Sequence, residues 1–189
     1  MKKKFPYLLW CYWAVLSACF GAQTSEWLTK TGTASDQSEH YQIALPDYLL
    51  EIEDANKQLN PQAVMQYANH YRNAYMLMLD TSRSTPTSMA EYAASETRKL
   101  VGRLQKPQQI DSSGLVINGL PAVRIDMTGD LGNANVRERI YYRLIFVETP
   151  YRCVQLVYWT WDKWRDKYLP DIEKSQNSFE LIDGQTRTK

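Results

Sequence analysis

Metal-ligating and redox residues are scarce in this chain of 189 residues, which has two histidines, His40 and His70, and three cysteines, Cys11, Cys19 and Cys153. Cys11 sits inside an apolar amino-terminal run, Cys19 closes that run, and Cys153 stands alone in an extended pattern. With the run removed and Cys19 modified, no internal disulfide can form and no cysteine pair is left for a zinc site. Also lacking are a Gly-x-Ser-x-Gly elbow, a phosphate-binding glycine loop, His-Glu-x-x-His and a dinucleotide fingerprint. No nucleophile and base can be paired from the sequence. An excess of charge of one sign is missing as well. Removing Met1 to Ala18 takes three lysines from 22 basic residues, leaving 19 against 21 acidic ones, a net charge of −2. A near-neutral domain has no electrostatic footprint for nucleic acid. Nor does any apolar run reach the roughly 20 residues of a spanning helix.

What is present begins with an address. Lys2-Lys3-Lys4 precedes an uncharged run from Phe5 to Ala18, the proportions of a signal-peptide core. The run ends in Leu16-Ser17-Ala18-Cys19, which resembles the bacterial lipoprotein signal, where small residues admit the peptidase and the cysteine carries the lipid. The competing reading is an ordinary signal peptide cut a few residues later, which would put bulky Phe20 where a small residue is wanted. An uncleaved anchor ranks third on length. Several acyl chains on one cysteine, each methylene contributing about 0.8 kcal/mol, hold a protein on a membrane for good. Phe20 stands where Asp would favour inner-membrane retention. The expected location is therefore the outer membrane, facing the periplasm, with the inner membrane or secretion as alternatives.

The division expected is a signal peptide over 1–18, a flexible tether over 19–39, a folded domain over 40–183 and a disordered tail over 184–189. The tether reading rests on the Thr, Ser, Gln and Gly of Ala22 to Glu39, interrupted by Trp27 and Leu28. Tyr41, Ile43 and Leu45 alternate with polar residues up to Pro46, a half-buried strand. Tyr48 to Leu59 fits either an irregular strand or a helical turn. Ala63 to Ala68 and Ala74 to Leu79 read as strands. Ser88-Met89-Ala90-Glu91 is a capping box, opening a helix whose apolar positions recur through Leu104 and which Pro107 stops.

The centre of the chain runs from Leu115 to Trp161 as an antiparallel meander, broken at Asn118-Gly119, near Gly129 to Asn133, and at Thr149-Pro150. Asn-Gly is a strong hairpin signal because a type I′ turn needs positive φ at both central residues. Cys153, Val157, Trp159 and Trp161 share one parity and Val154, Leu156 and Tyr158 the other, so this strand should be covered on both faces. Asp162 is placed to cap a second helix through Trp164, Tyr168 and Ile172, kinked or divided at Pro170, and Ser178 to Ile182 is extended again. The expectation is an α+β fold, a three-layer α/β/α sandwich around a central antiparallel sheet.

The strand ending in Leu45-Pro46, the segments NPQAVMQY and YMLMLD, the helix, the turn Asn118-Gly119-Leu120-Pro121-Ala122 and the closing helix into Ser178-Phe179 resemble the PsbP-like superfamily. That group includes extrinsic photosystem proteins, a Ran-binding nuclear import factor and bacterial envelope proteins. The match spans Tyr41 to Asp183. It implies an antiparallel sheet between helical layers and binding or assembly roles, and it supplies no catalytic residue.

Two constellations are candidates for binding. If Val123, Ile125 and Met127 share a face with Ile140, Tyr142 and Leu144, the opposite face carries Arg124, Asp126, Arg139 and Arg143, with Asp126 opposite Arg139. Such arginines form either a structural ion pair or an anion- or partner-binding patch. Trp161 and Trp164, in the aromatic crowd from Tyr151 to Tyr168, are either core or a groove for a glycan or a partner. His40 and His70 read as solvated and Cys153 as buried and inert. The reading is of a lipid-anchored, non-catalytic binding or assembly module without cofactor or metal, its partners the membrane and an envelope protein or glycan. Structural envelope maintenance without a ligand comes second, and a hydrolase with an unrecognised site third.

Overall fold

A computed structural model describes residues 25–54, 58–82, 88–132 and 137–182. The expected signal peptide, the lipidation at Cys19 and the tail therefore lie outside the described residues. The strands are β1 (Trp27–Thr33), β2 (His40–Pro46), β3 (Leu50–Glu51), β4 (Ala63–Asn69) and β5 (Ala74–Ser82), then β6 (Gln105–Ile117), β7 (Leu120–Gly132), β8 (Arg137–Glu148), β9 (Arg152–Trp161) and β10 (Glu180–Ile182). Helix α1 (Met89–Val101) follows β5, and a 3₁₀ turn (Asp162–Trp164) leads into α2 (Arg165–Asn177) after β9.

Seven strands form an antiparallel sheet in the order β3-β4-β5-β9-β8-β7-β6. The doubly apolar strand β9 lies in the middle of it, with Val154 and Leu156 at 0 % exposure and Tyr158 at 2 %. Burying each such side chain stabilises the fold by about 1.5–3 kcal/mol. Asn118 and Gly119 have φ of 47° and 84° and join β6 to β7 in the turn expected.

One face of the sheet is covered by α2 together with a three-stranded sheet, β1-β2-β10. The core there joins Tyr41, Ile43 and Leu45 of β2 to Met76, Ile145, Leu156 and Tyr158 of the large sheet and to Tyr168 and Ile172 of α2. The other face packs α1 against Ile125, Met127, Leu144, Phe146 and Val157. The sandwich has its three layers, and one outer layer is part sheet.

Several local expectations are corrected. Trp27–Thr33, placed in the tether on composition, is a strand that pairs with β2 from Trp27 opposite Pro46 to Thr33 opposite His40. Its polar residues lie on an edge strand whose backbone bonds are supplied by β2. Helix α1 ends at Val101, with Gly102 as its cap, and Leu104 packs beyond it. Pro107 then lies within β6, an edge strand that is bulged on either side of Gln108 and Gln109. An edge or a bulge is where a strand tolerates a residue without an N–H. Asp162 makes no cap bond with its side chain, and α2 runs undivided through Pro170. The segment left open after Tyr48 contains the short strand β3, paired with β4.

Candidate functional site

Coverage of the two faces is unequal, and the inequality makes a cleft. Seven strands about 4.8 Å apart span roughly 29 Å, and a helix with its side chains is about 10 Å across. Helix α1 lies over β7 and β8 and leaves the β4-β5-β9 side of its face open. Its start is fixed by the capping box, in which Ser88 Oγ accepts from Glu91 N at 3.2 Å and Ser88 N donates to Glu91 Oε2 at 3.0 Å. Its position is fixed by Tyr92, whose ring stands edge-on to Phe146 at 5.9 Å and whose hydroxyl donates to Thr81 Oγ1 at 3.1 Å.

The cleft beside α1 measures about 930 Å³, within the 300–1,000 Å³ range of small-molecule sites. Its floor is apolar, with Val64 from β4, Leu77 and Leu79 from β5, Val157 from β9 and Leu144 from β8. Tyr92, Glu96, Lys99, Leu100 and Arg103 form the α1 wall, and Asn60, Pro61 and Gln62 form the opposite rim. Ser35, Asp80, Thr81 and Gln155 close one end. Asp80 is held by Arg152, so its charge is already matched. Lys99 is likewise paired with Glu96 at 2.6 Å, and no carboxylate among the described residues pairs with Arg103. A smaller hollow of about 340 Å³ lies on the other flank of α1, lined by Ala90, Ala93, Thr97, Arg98 and Ile125 among others.

The arginines expected as a patch lie on the opposite face, where Arg143 is buried and Arg124 and Arg139 are partly exposed. The side chain of Arg143 is 3 % exposed, and it donates to Asp126 Oδ1 at 2.7 Å and Oδ2 at 3.0 Å, with Glu173 Oε1 at 3.3 Å. Tyr141 donates to the same Asp126 carboxylate at 2.9 Å. Burial works against the charge on Arg143, but the bonded Asp126 outweighs it, helped by Tyr141 and Glu173, and raises the pKa above the ordinary arginine value. The predicted register is corrected here. Asp126 stands opposite Arg143, and Arg139 stands opposite Asp130, to which it donates at 3.1 Å. Arg139 also donates to Thr128 Oγ1 at 2.6 Å, and Arg124 is paired with Asp111 and lies 3.5 Å from Asp126. Each of the three arginines thus holds a carboxylate, as an ion pair between strands does.

In the aromatic crowd Tyr158 and Tyr168 are buried, Tyr151 is exposed, and Trp159, Trp161 and Trp164 are half-buried with a ring face stacked on a neighbour. Trp161 and Trp164 stack on one another at 4.8 Å, and the Lys163 ammonium lies 3.9 Å from the Trp161 ring centre. Trp159 stacks on Tyr75 at 4.9 Å and lies near parallel to Tyr142 at 6.2 Å, a ladder across β5, β9 and β8. Stacking of this kind adds about 0.5–1.5 kcal/mol per pair.

His40 bonds through Nδ1 to Thr33 Oγ1 at 3.1 Å, and His70 to the Tyr75 hydroxyl at 3.4 Å. Cys153 is 6 % exposed, with Sγ 3.6 Å from Met89 Sδ under the first turn of α1. Among the described residues no group of three or more His, Cys, Asp and Glu could hold a metal ion. No described helix is long and apolar enough to cross a membrane. At the β8–β9 turn, Arg152 ties Asp36 and Asp80 together, and its guanidinium holds the Asp36 carboxyl well below the usual carboxylate range.

Sequence reasoning placed the α1 wall but not the cleft. Val64, Leu77, Leu79 and Val157 looked like ordinary strand residues, and what puts them along a cleft, with Leu77 and Val157 themselves still buried, is the width of the sheet beside a single helix. No protein-family model and no curated protein matches the sequence. Solved structures do. Cyanobacterial PsbP from Synechocystis sp. PCC 6803 aligns at a TM-score of 0.60 with 9 % identity, over 87 % of this chain and 97 % of that one. LpqN of Mycobacterium tuberculosis, described as involved in cell envelope biogenesis, aligns at 0.56 with 11 % identity, over 84 % and 92 %. The Ran-binding protein Mog1p of Saccharomyces cerevisiae aligns at 0.55 with 8 % identity, over 84 % and 97 %. The fold is therefore PsbP-like.

Proposed function

We propose that this chain, built on the PsbP-like fold, is a non-enzymatic binding module held at the bacterial envelope by a lipid on Cys19 and facing the periplasm. The observation that carries the binding role is the cleft beside α1, a preformed trough with an apolar floor that the fold leaves open. The envelope address is supported by the run from Lys2 to Cys19, and by LpqN, which has the same fold and is described as involved in cell envelope biogenesis. Since β1 begins at Trp27, seven residues, Phe20 to Glu26, separate the lipidated cysteine from the fold. They reach at most about 25 Å, which keeps the domain close to the bilayer.

Two measurements test this reading. Cells fed labelled palmitate should label the protein, and Cys19→Ser should abolish the label; an unlabelled wild type removes the anchor. A photo-crosslinking amino acid at Leu79, illuminated in intact envelopes, should give one discrete adduct that the same group at exposed Thr29 does not. Equal, diffuse background from both positions contradicts a binding role for the cleft.

A further inference from the structure

The cleft's chemistry narrows its ligand, and this step rests on the cleft being the binding site. We infer that it takes an anionic single-chain amphiphile, with the chain along the floor and a carboxylate or phosphate head at Arg103. The floor offers Leu77, Leu79, Leu144 and Val157 with no charge among them. These side chains carry no donor or acceptor, so a ligand group lying against them is better apolar than polar. Charge stands on the α1 wall instead. Glu96 and Lys99 cancel through their 2.6 Å contact, and Asp80 at the far end is matched by Arg152. Arg103, just past the end of α1, is the cation of this lining that no carboxylate among the described residues matches, and its guanidinium suits a carboxylate or a phosphate.

Length agrees with this. From Tyr92 to Arg103 the wall extends about 16 Å at the helical rise, which accommodates an extended chain of about twelve carbons at bonded carbon spacing. The polar far end of Ser35, Asp80 and Gln155 sets a limit to chain length.

The test uses the mature chain, residues 19–189, carrying Cys19→Ser so that no attached lipid competes. It is titrated by calorimetry with dodecanoate, dodecyl phosphate, dodecanol and inorganic phosphate, each below its micellar concentration. Both charged chains should bind, with affinity rising up to about fourfold per methylene from decanoate to dodecanoate. Dodecanol should bind at least about fivefold more weakly although it is the more apolar probe, with the preference shrinking in high salt. Inorganic phosphate alone should not bind measurably. Arg103→Glu should erase the preference for charge. Leu79→Glu should weaken every chain more than about tenfold, and Arg98→Glu, on the other flank of α1, should change nothing. Alcohol bound as tightly as the acid, or Arg103→Glu without effect, overturns the anionic head. If no chain binds, the amphiphile is excluded, while a discrete adduct at Leu79 in envelopes would still uphold the cleft.

Discussion

The two faces of the central sheet solve the same problem in different ways. On the α2 side a helix and a second sheet cover most of the surface, and the cover traps charge, with Arg143, Asp126 and Arg152 all under 10 % exposed. On the α1 side one helix lies on a surface wider than itself, the buried residues are almost all apolar, and a trough remains. Buried ion pairs are costly to break and contribute little net stability, but they fix register. A preformed cleft with an apolar floor is the usual form of a small-molecule site. The contrast suggests that one face holds the structure in register and the other meets the ligand.

Substitutions sharpen that contrast. Arg143→Ala should destabilise the protein by about 3–5 kcal/mol in urea denaturation, because it leaves the Asp126 carboxylate buried without its guanidinium, bonded by the Tyr141 hydroxyl. Replacing the group together, Arg143→Met and Asp126→Leu with Tyr141→Phe so that no hydroxyl is left without its acceptor, should recover most of that loss. Arg139→Ala, whose side chain is 37 % exposed, should cost about 1 kcal/mol or less. Neither arginine should affect ligand binding, and a binding loss in a folded Arg139→Ala protein would break the division between faces.

High pH probes the α1 face next. Burial pushes the Tyr142 hydroxyl up to about 12 from 10.0. A folded-state pKa above the unfolded one means the stabilisation is complete below pH 10 and is lost as pH rises from 10 towards 12. The loss is of order 2–3 kcal/mol. Ionisation of the buried tyrosines should therefore accompany unfolding, and Tyr142→Phe should shift the alkaline transition upward. Gly129→Ala comes after it, at about 1–3 kcal/mol, because a Cβ there would meet Leu104 at 2.8–2.9 Å where the chain leaves α1. Ser88→Ala, which removes half of the capping box, should cost about 1 kcal/mol. The smallest effect on stability is expected at Arg103→Glu, within about 0.5 kcal/mol, although this change should alter ligand preference most.

Much of the fold was legible because its signals are local. The parity of β9, the positive φ of Asn118-Gly119 and the Ser88-Glu91 box depend on a few neighbouring residues, and each appears as expected. The faces of Arg124, Asp126 and Arg143 were legible too, but the pairing of Asp126 was not. A strand's side-chain period is two, so a slip of four residues leaves every face unchanged, and alternation alone cannot tell Arg139 from Arg143 as the partner. β1 was hidden because its bonds come from β2 while its own residues are polar. The cleft was least legible of all. It belongs to no segment, and follows from how far one helix reaches across seven strands.

The most direct test compares the two faces in one experiment. Methyl-resolved NMR of the mature chain, labelled at Ile, Leu and Val, would be followed while dodecanoate is added. The account predicts shifts at Val64, Leu77, Leu79, Leu144 and Val157, with Ile43, Leu45, Ile145, Val154 and Leu156 unmoved. Shifts centred on the second group, or no saturable shift in either, would contradict it.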